Sequence, residues 1–254
     1  MSDYQHPHET VNLPSEGKFY PEGHPLRDGT IDIKYPTAKE EDILTSTNLV
    51  QKGLVYNKLL ESIILSKHED GKKIRPEELL VGDVDAILIA VRILAYGKEY
   101  GVSFECQHCQ ATTNVTVNLS QLESRDHTLD KLNDDGTFEY VLNEDVTLTM
   151  RLMTRGDDKR VRDVLDSLEK HNLPRTEITT RLKTVIVAVN GDKSEKIKSD
   201  LVDNMPIPDS RRIREDYAKL VPGVDFDINY VCDICRAENG GRIMIGPNFF
   251  WPDF

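Results

Sequence analysis

The chain lacks long hydrophobic runs and anything that resembles a secretory signal. Its longest apolar stretch, residues 84–95, is shorter than the roughly 20 residues that a membrane-spanning helix needs, and Asp85 and Arg92 interrupt it. The first ten residues contain neither a basic segment nor an apolar one, so we expect no signal peptide. These absences predict a soluble protein of the reducing cytosol, in which residues 84–95 form a buried helix.

Basic residues are also scarce relative to acidic ones. The 254 residues include 32 Lys and Arg against 44 Asp and Glu, a formal net charge of −12. A surface of this sign repels the phosphates of nucleic acids and anionic membranes. We therefore expect neither general nucleic-acid binding nor membrane association. The 38% of hydrophobic residues is enough apolar material for one large or two smaller folded domains.

Common catalytic motifs are absent as well. The sequence has no Gly-x-x-x-x-Gly-Lys-Ser/Thr loop, no Gly-x-Gly-x-x-Gly fingerprint, no Gly-x-Ser-x-Gly elbow and no His-Glu-x-x-His pair. We therefore predict that the protein is not an enzyme and has no catalytic residues.

The first 99 residues predict a short polar tail followed by a helical subdomain. Residues 1–10 are polar, and we expect them to be a disordered tail. In residues 11–99, a loop-rich segment precedes a strand over residues 31–35. Three helices follow: one opened by a capping box of Thr37 and Glu40, one over residues 54–66, and one over residues 83–96 that Gly97 ends.

Residues 123–223 predict an inserted β-hairpin followed by helices. The segments 137–143 and 145–154 alternate apolar and polar residues around a turn. Helical periodicity marks residues 157–171, 177–189 and 209–220, with Val164 and Ile178 among the inward positions. Together with the N-terminal helices, this segment gives an α+β protein.

Two Cys-x-x-Cys pairs are the strongest chemical signal in the chain. They are Cys106 with Cys109 and Cys232 with Cys235, and each lies between strand-like stretches, the last of which is residues 242–245. Such turns present two thiolates on one loop, and two of them complete a tetrahedral zinc shell. We predict one structural zinc ion per chain in a zinc-ribbon-like module of residues 100–122 and 224–254. The 122 residues between the pairs must then fold as an insertion.

Two other interpretations of the cysteines remain open at this point. The pairs could be redox-active, as in thioredoxin-like proteins, although neither pair opens a helical pattern. His108 could replace a cysteine as a ligand, although four thiolates already suffice. A catalytic zinc is disfavoured, because four cysteines leave no open position for water.

The end of the sequence concentrates aromatic residues. Phe249, Phe250, Trp251 and Phe254 stand among the last six positions. Such residues are costly to expose, so they either fold back on the ribbon or dock into a partner as hot spots.

One long N-terminal block carries a family resemblance. The segment LPSEGKFYPEGHPLRDGTIDIKYPTAKEEDILTSTNLVQKGLVYNKLLES, followed by the ECQHC and VCDIC pairs, resembles the baseplate hub family of T4-like contractile-tailed bacteriophages. The resemblance implies a hub subunit or hub-assembly protein, in the virion tail or in the cytoplasm of the infected bacterium during assembly.

The resemblance and the residues together favour a non-enzymatic protein that works through contacts with other baseplate or hub proteins. The alternative from a different class is a zinc-ribbon protein that binds nucleic acid in phage or host transcription. It is disfavoured because residues 101–117 contain no Lys or Arg.

Overall fold

A hairpin formed by two distant strands begins the fold. The computed structural model describes residues 7–125 and 132–250. Strand β1 (His8–Asn12) pairs antiparallel with β2 (Thr30–Lys34), so the strand predicted at residues 31–35 is confirmed. The predicted tail is wrong for residues 8–10, because their backbone groups pair with β2 although their side chains are exposed. Residues 1–6 lie outside the described part.

Four helices follow in place of the predicted three. They are α1 (Ala38–Thr45), α2 (Thr47–Gln51), α3 (Val55–Ile63) and α4 (Val81–Tyr96). Gly97 ends α4 with a positive φ of 84°, as its position predicted. No helix in the described residues is long and apolar enough to cross a membrane.

A buried carboxylate holds the loop after β1 against α4. Asp83 accepts hydrogen bonds from the backbone N–H of Ser15 (2.9 Å), the hydroxyl of Ser15 (2.7 Å) and the hydroxyl of Tyr20 (2.8 Å). The Tyr20 hydroxyl in turn accepts from the backbone N–H of Leu80 at 3.0 Å. Buried polar groups are tolerated when they are paired in this way.

A second buried carboxylate joins β2, α1 and α3. Glu40 accepts from Lys34 Nζ (2.7 Å) and Ser62 Oγ (2.5 Å), and from the backbone N–H (2.9 Å) and hydroxyl (2.6 Å) of Thr37. Burial alone would raise the pKa of Glu40, but these hydrogen bonds lower it to about 2. The capping pair of Thr37 and Glu40 that the sequence predicted therefore also connects α1 to β2 and α3.

Two further hairpins flank the inserted segment. The first is β3 (Glu99–Glu105) with β4 (Thr112–Asn118), and the second is β8 (Asp227–Val231) with β9 (Glu238–Arg242). The strand predicted over residues 242–245 is wrong. The pairing of Val231 with Glu238 begins directly after the cysteine turn, so the strand falls on residues 238–242, despite their two glycines.

The described residues of the inserted segment, 123–125 and 132–223, form a three-stranded sheet and four helices. Strands β5 (Phe138–Val141), β6 (Thr147–Met150) and β7 (Ile186–Val189) pair in that order, all antiparallel. The helices are α5 (Arg155–Lys170), α6 (Glu177–Val185), α7 (Glu195–Asp203) and α8 (Ile207–Leu220). The predicted hairpin is confirmed.

Three expectations within the insertion are wrong. Residues 186–189 are strand β7 and not the end of a helix, because the free edge of β6 pairs with this β-branched run and buries Ile186 and Val189. Val164 and Ile178 were expected to face inward, but both are exposed. Their helices pack through narrower faces than the periodicity indicated.

The two ends of the insertion lie side by side. The backbone N–H of Arg125 donates to the carbonyl of Gly223, and that of Asp225 donates to the carbonyl of Glu123, both at 2.8 Å. Buried side chains from the N-terminal segment, the insertion and the C-terminal hairpin join one hydrophobic cluster. Gly82 of α4 lies so close to the carbonyl of Pro222 that a Cβ would sit 1.7 Å from its oxygen.

We expect Glu40→Gln to lower the free energy of unfolding at pH 7 by about 1.5–3 kcal/mol, since it removes charge-assisted hydrogen bonds. A carboxylate with a lowered pKa stabilises the fold above its unfolded pKa and loses this effect as the pH falls. The difference from wild type should therefore shrink as the pH falls from about 4.5 towards 2.

Urea unfolding across this pH range measures the effect. Glu69→Gln is the matched control, because Glu69 is exposed. A Glu40→Gln penalty that stays constant down to pH 2 would contradict the lowered pKa.

Candidate metal centre

The first cysteine pair lies on a tight turn between β3 and β4. The backbone N–H of Cys106 donates to the carbonyl of Ala111 (2.9 Å), and that of Gln110 donates to the carbonyl of Cys106 (2.9 Å). Gln110 has a φ of +61°, which lets the chain reverse directly after Cys109. Cys106 is buried and Cys109 is exposed.

The second pair repeats this turn between β8 and β9. Cys232 donates its backbone N–H to the carbonyl of Ala237 (2.9 Å) and accepts from the backbone N–H of Arg236 (3.0 Å). Arg236 also has a φ of +61°. Again the first cysteine, Cys232, is buried and the second, Cys235, is exposed. The two turns are thus equivalent, as the sequence predicted.

Tertiary folding brings all four sulfurs together. The Sγ atoms of Cys106 and Cys235 are 3.6 Å apart, those of Cys109 and Cys232 are 3.7 Å apart, and all four lie within 4.8 Å of one another. Four sulfurs about 2.3 Å from a tetrahedral zinc ion would be separated by about 3.8 Å. The described cysteines therefore have the spacing of a four-thiolate metal site.

The acid–base properties of the thiols fit a bound cation. The backbone N–H of Cys235 and, to a lesser degree, the hydroxyl of Thr113 lower the pKa of Cys232 to about 6. The backbone N–H of Ala237 acts to lower the pKa of Cys235, but the neighbouring sulfurs, that of Cys109 first, raise it to about 12. Like charges this close cannot all form without compensation, and a divalent cation supplies it.

Two buried polar side chains occupy equivalent positions behind the sulfurs. Asn239 Oδ1 accepts the backbone N–H of Gln107 at 3.1 Å and lies 3.6 Å from the sulfur of Cys106. Thr113, seven residues after Cys106 as Asn239 is seven after Cys232, has a buried hydroxyl with no hydrogen-bond partner in the described residues. This hydroxyl contributes to the lowered pKa of Cys232.

The two hairpins also stack through aromatic rings. Phe104 and Tyr230, each two residues before the first cysteine of its pair, have ring centroids 5.1 Å apart at an interplanar angle of 20°. A Cβ on Gly241 would lie 2.8 Å from the Phe104 ring, so this strand position favours glycine. The Tyr230 hydroxyl donates to the carbonyl of Glu105 at 3.2 Å. Packing and hydrogen bonding between the two hairpins thus fix the position of one cysteine pair relative to the other.

The other interpretations of the cysteines gain no support from this geometry. Neither pair opens a helix, where a redox-active thiol is usually placed. The imidazole of His108 is exposed and does not belong to the sulfur cluster. Four protein ligands fill a tetrahedral shell, so a metal held here has no open position for a substrate.

Sequence reasoning missed a second cluster of metal-ligand residue types. His24, His68 and Glu78 come from three separate segments, with both His Nε2 atoms near the same carboxylate oxygen of Glu78, at 3.7 and 2.7 Å. No local spacing signals such a cluster. The Nδ1 atom of His24 accepts the backbone N–H of Leu26 at 3.2 Å. The proton of a neutral His24 is then on Nε2 and faces Glu78, an arrangement that suits hydrogen bonding better than metal coordination.

The C-terminal aromatic residues divide into two groups. Phe249 and Phe250 are buried within the chain: Phe249 packs on Tyr100 and Phe250 on Tyr56, with ring centroids 5.2 and 5.9 Å apart. Arg92 donates its Nε–H to the carbonyl of Phe249 at 2.9 Å. The fold therefore covers these two rings, which leaves them unavailable for docking in this state. Trp251 and Phe254 lie outside the described residues.

We expect Asn239→Ala to destabilise the protein by about 1–3 kcal/mol, because the change leaves the partly buried N–H of Gln107 without its acceptor. Urea unfolding at pH 7 measures this loss of stability. The control is Asn229→Ala in the same hairpin, where the side chain is exposed and the expected change is within about 0.5 kcal/mol. Equal effects of the two substitutions would contradict the supporting role of Asn239.

Comparison with known protein families identifies a match. A family model described as T4 bacteriophage base plate protein matches residues 6–251, almost the whole chain. A search of curated proteins and a search of solved structures returned no match. Because this family model matches nearly the whole chain, the chain belongs to the T4 bacteriophage base plate protein family.

Proposed function

We propose that the protein is a non-enzymatic component or assembly factor of the central hub of a contractile-tail baseplate, stabilised by one zinc ion per chain. The single observation that carries the baseplate role is the family match over residues 6–251. Because the match includes both cysteine pairs and the insertion, it applies to the fold as a whole. The hub is the finer part of the proposal, and the N-terminal block that resembles hub proteins supports it.

The surface supports a role in protein contacts. The net charge of −12 disfavours polyanionic ligands. The hairpin β8–β9 and the residues next to it expose three large apolar side chains, Val231, Ile234 and Met244. Apolar groups of this kind are more suited to protein partners than to a phosphate backbone. We infer that the partners are other baseplate or hub proteins.

The sulfur geometry supports zinc as the metal. A set of four thiolates with a separation near 3.7 Å matches the softness and tetrahedral preference of zinc. The site has no space for substrate, so the metal would join the strands before and after the insertion and would not catalyse a reaction. A structural metal of this type contributes its binding energy to folding.

We expect the protein, purified without chelator and with a phosphine reductant, to contain about one zinc per chain. Cys232→Ser should lose the metal and lower the thermal unfolding midpoint, because a three-cysteine site binds zinc more weakly. Elemental analysis and calorimetry measure the two effects.

The matched control is Asp233→Ser, which changes an exposed residue of the same turn without altering a ligand. Less than about half a zinc per chain in the wild type would refute the four-thiolate assignment. A stable disulfide in the wild type after removal of the reductant, with full stability, would favour the redox interpretation.

We expect infections that lack this chain to accumulate tail parts without complete hubs, since a hub component or hub-assembly factor is required before the baseplate closes. Electron microscopy of lysates and mass spectrometry of virions against assembly intermediates measure this. Presence in virions would identify a hub subunit, and presence only in intermediates would identify an assembly factor.

Normal, infectious tails made without the chain would overturn the hub proposal. Retention on DNA or RNA that falls steeply between low and moderate salt would instead favour the nucleic-acid alternative, because counterion release makes such binding salt-dependent.

A further inference from the structure

A groove lies between the two hairpins that flank the insertion. Its volume is about 390 Å³. Residues 115–118 of β4 form one side, residues 227–229 of β8 form the other, and residues 121–123 and Asp225 complete the lining. The backbone hydrogen bonds that join residues 123–125 to residues 223–225 lie at one end of it. The two strands that frame the groove are therefore tied together at that end.

The hydrogen bonds of the first hairpin show which backbone groups of β4 are left over. Cys106 donates its N–H to the carbonyl of Ala111, and Leu119 donates to the carbonyl of Lys98. Hydrogen-bonded residue pairs alternate along an antiparallel ladder, so β4 bonds to β3 through every second residue. The N–H and C=O groups of the residues between them point away from β3, at Thr112, Asn114, Thr116 and Asn118.

The same alternation holds in the second hairpin. Cys232 donates its N–H to the carbonyl of Ala237, and Ile243 donates to the carbonyl of Phe226. The residues of β8 whose backbone groups point away from β9 are therefore Asp227, Asn229 and Val231. Outward-pointing residues of both strands line the groove, namely Thr116, Asn118, Asp227 and Asn229.

Both strands thus present an outer edge, which is the edge that does not pair within the hairpin. Among the described strands, none pairs with the outer edge of β4 or of β8. The N–H of Asp227 donates to its neighbour Asp225 at 3.0 Å, whereas Thr116 and Asn229 are exposed and face no other strand. An unpaired edge of this kind is a template for a further strand.

The side chains of the groove indicate the chemistry of such a strand. Val115, Val117 and Ile228 are half-buried apolar groups beside the edges. Three carboxylates line the groove, those of Glu123, Asp225 and Asp227, and none of the described lining residues is Lys or Arg. Only Asp227 has an ion pair in the described structure, with Arg242 at 2.8 Å. The complementary segment alternates apolar and basic residues.

We propose that the groove is the docking site of an extended, basic segment of another protein, which adds as a strand to the outer edge of β4. Its backbone would bond to the outward groups of Thr116 and the alternate residues beside it. Its Lys or Arg side chains would face Glu123 and Asp225. A second copy of this chain is a poor occupant, because it would bring the same three carboxylates to this place.

This inference deepens the proposed role in protein contacts, on which it rests, by assigning a surface and the chemistry of the partner segment. It does not depend on the partner being a hub protein. In strand addition the backbone supplies much of the affinity and the side chains supply the specificity. Both contributions can therefore be removed separately.

The probe is the synthetic peptide Lys-Val-Thr-Val-Lys-Val with blocked ends, titrated into the full chain. We expect saturable binding in the micromolar range, with the changes in backbone amide NMR shifts concentrated in residues 112–118 and 227–231. Absence of saturation up to about 1 mM, the weak limit of specific binding, would overturn the proposal.

Two altered peptides separate the backbone and charge contributions. A peptide of the same sequence with every backbone nitrogen methylated cannot donate backbone hydrogen bonds, and we expect it to bind at least about tenfold more weakly. The peptide Glu-Val-Thr-Val-Glu-Val should also bind at least about tenfold more weakly, because like charges meet. Equal affinity of either altered peptide and the parent would contradict strand addition to an acidic edge.

Two substitutions locate the site on the chain. Thr116→Pro removes an outward N–H without removing a bond to β3, as proline on an edge strand permits, and should weaken binding at least about tenfold. Thr116→Val keeps the N–H and is its control. Glu123→Gln should weaken binding severalfold, and its control is Glu144→Gln, an exposed residue outside the groove. If Thr116→Pro does not fold, Glu123→Gln and the methylated peptide still decide.

Two further outcomes would overturn the proposal. The first is unchanged peptide affinity in both Thr116→Pro and Glu123→Gln, which would place the peptide elsewhere. The second is a dimer on gel filtration that Thr116→Pro converts to monomer, which would make a second copy the occupant. Neither outcome affects the hub proposal, which is tested by infections that lack the chain.

Discussion

The structure depends on one constraint: two Cys-x-x-Cys turns that are 122 residues apart in sequence must place four sulfurs within 4.8 Å. This requirement positions the hairpin β3–β4 against the hairpin β8–β9, with Phe104 stacked on Tyr230. It also requires the chain to return, at the end of the insertion, to the place where the insertion began. Loop closure costs free energy that grows only slowly with loop length.

The insertion is attached by more than the sulfur cluster. Backbone hydrogen bonds join residues 123–125 to residues 223–225, and Gly82 of α4 contacts the carbonyl of Pro222. The two ends of the insertion and the first turn of α4 therefore lie together, whereas the cysteine turns lie at the other end of β4 and β8. A metal bound by the cysteines would hold the two hairpins together from that other end.

The N-terminal segment is organised by hydrogen bonds to buried carboxylates. Asp83 fixes the loop that contains Ser15 and Tyr20 on α4, and Glu40 joins β2, α1 and α3. Charged groups in the interior are stabilised only when several donors surround them, which restricts the segments to one relative placement. For a protein of a baseplate family, this gives a well-defined body whose acidic surface is available to partners.

The sequence by itself determined the features that depend on local pattern. The capping pair of Thr37 and Glu40, the end of α4 at Gly97, and the strand–turn–strand form of both cysteine pairs follow from short-range geometry, and each is present. Residues 186–189 could not be assigned locally, because a β-branched run suits a helix end or a strand until β6 offers it a free edge.

Only the tertiary structure decided the rest. The sequence predicted that the four cysteines share one site, but their sulfur spacing, the partners of Asn239, the cluster of His24 with Glu78 and the burial of Phe249 depend on residues distant in sequence. Contacts of this kind depend on how whole elements pack, and local periodicity contains no information about them.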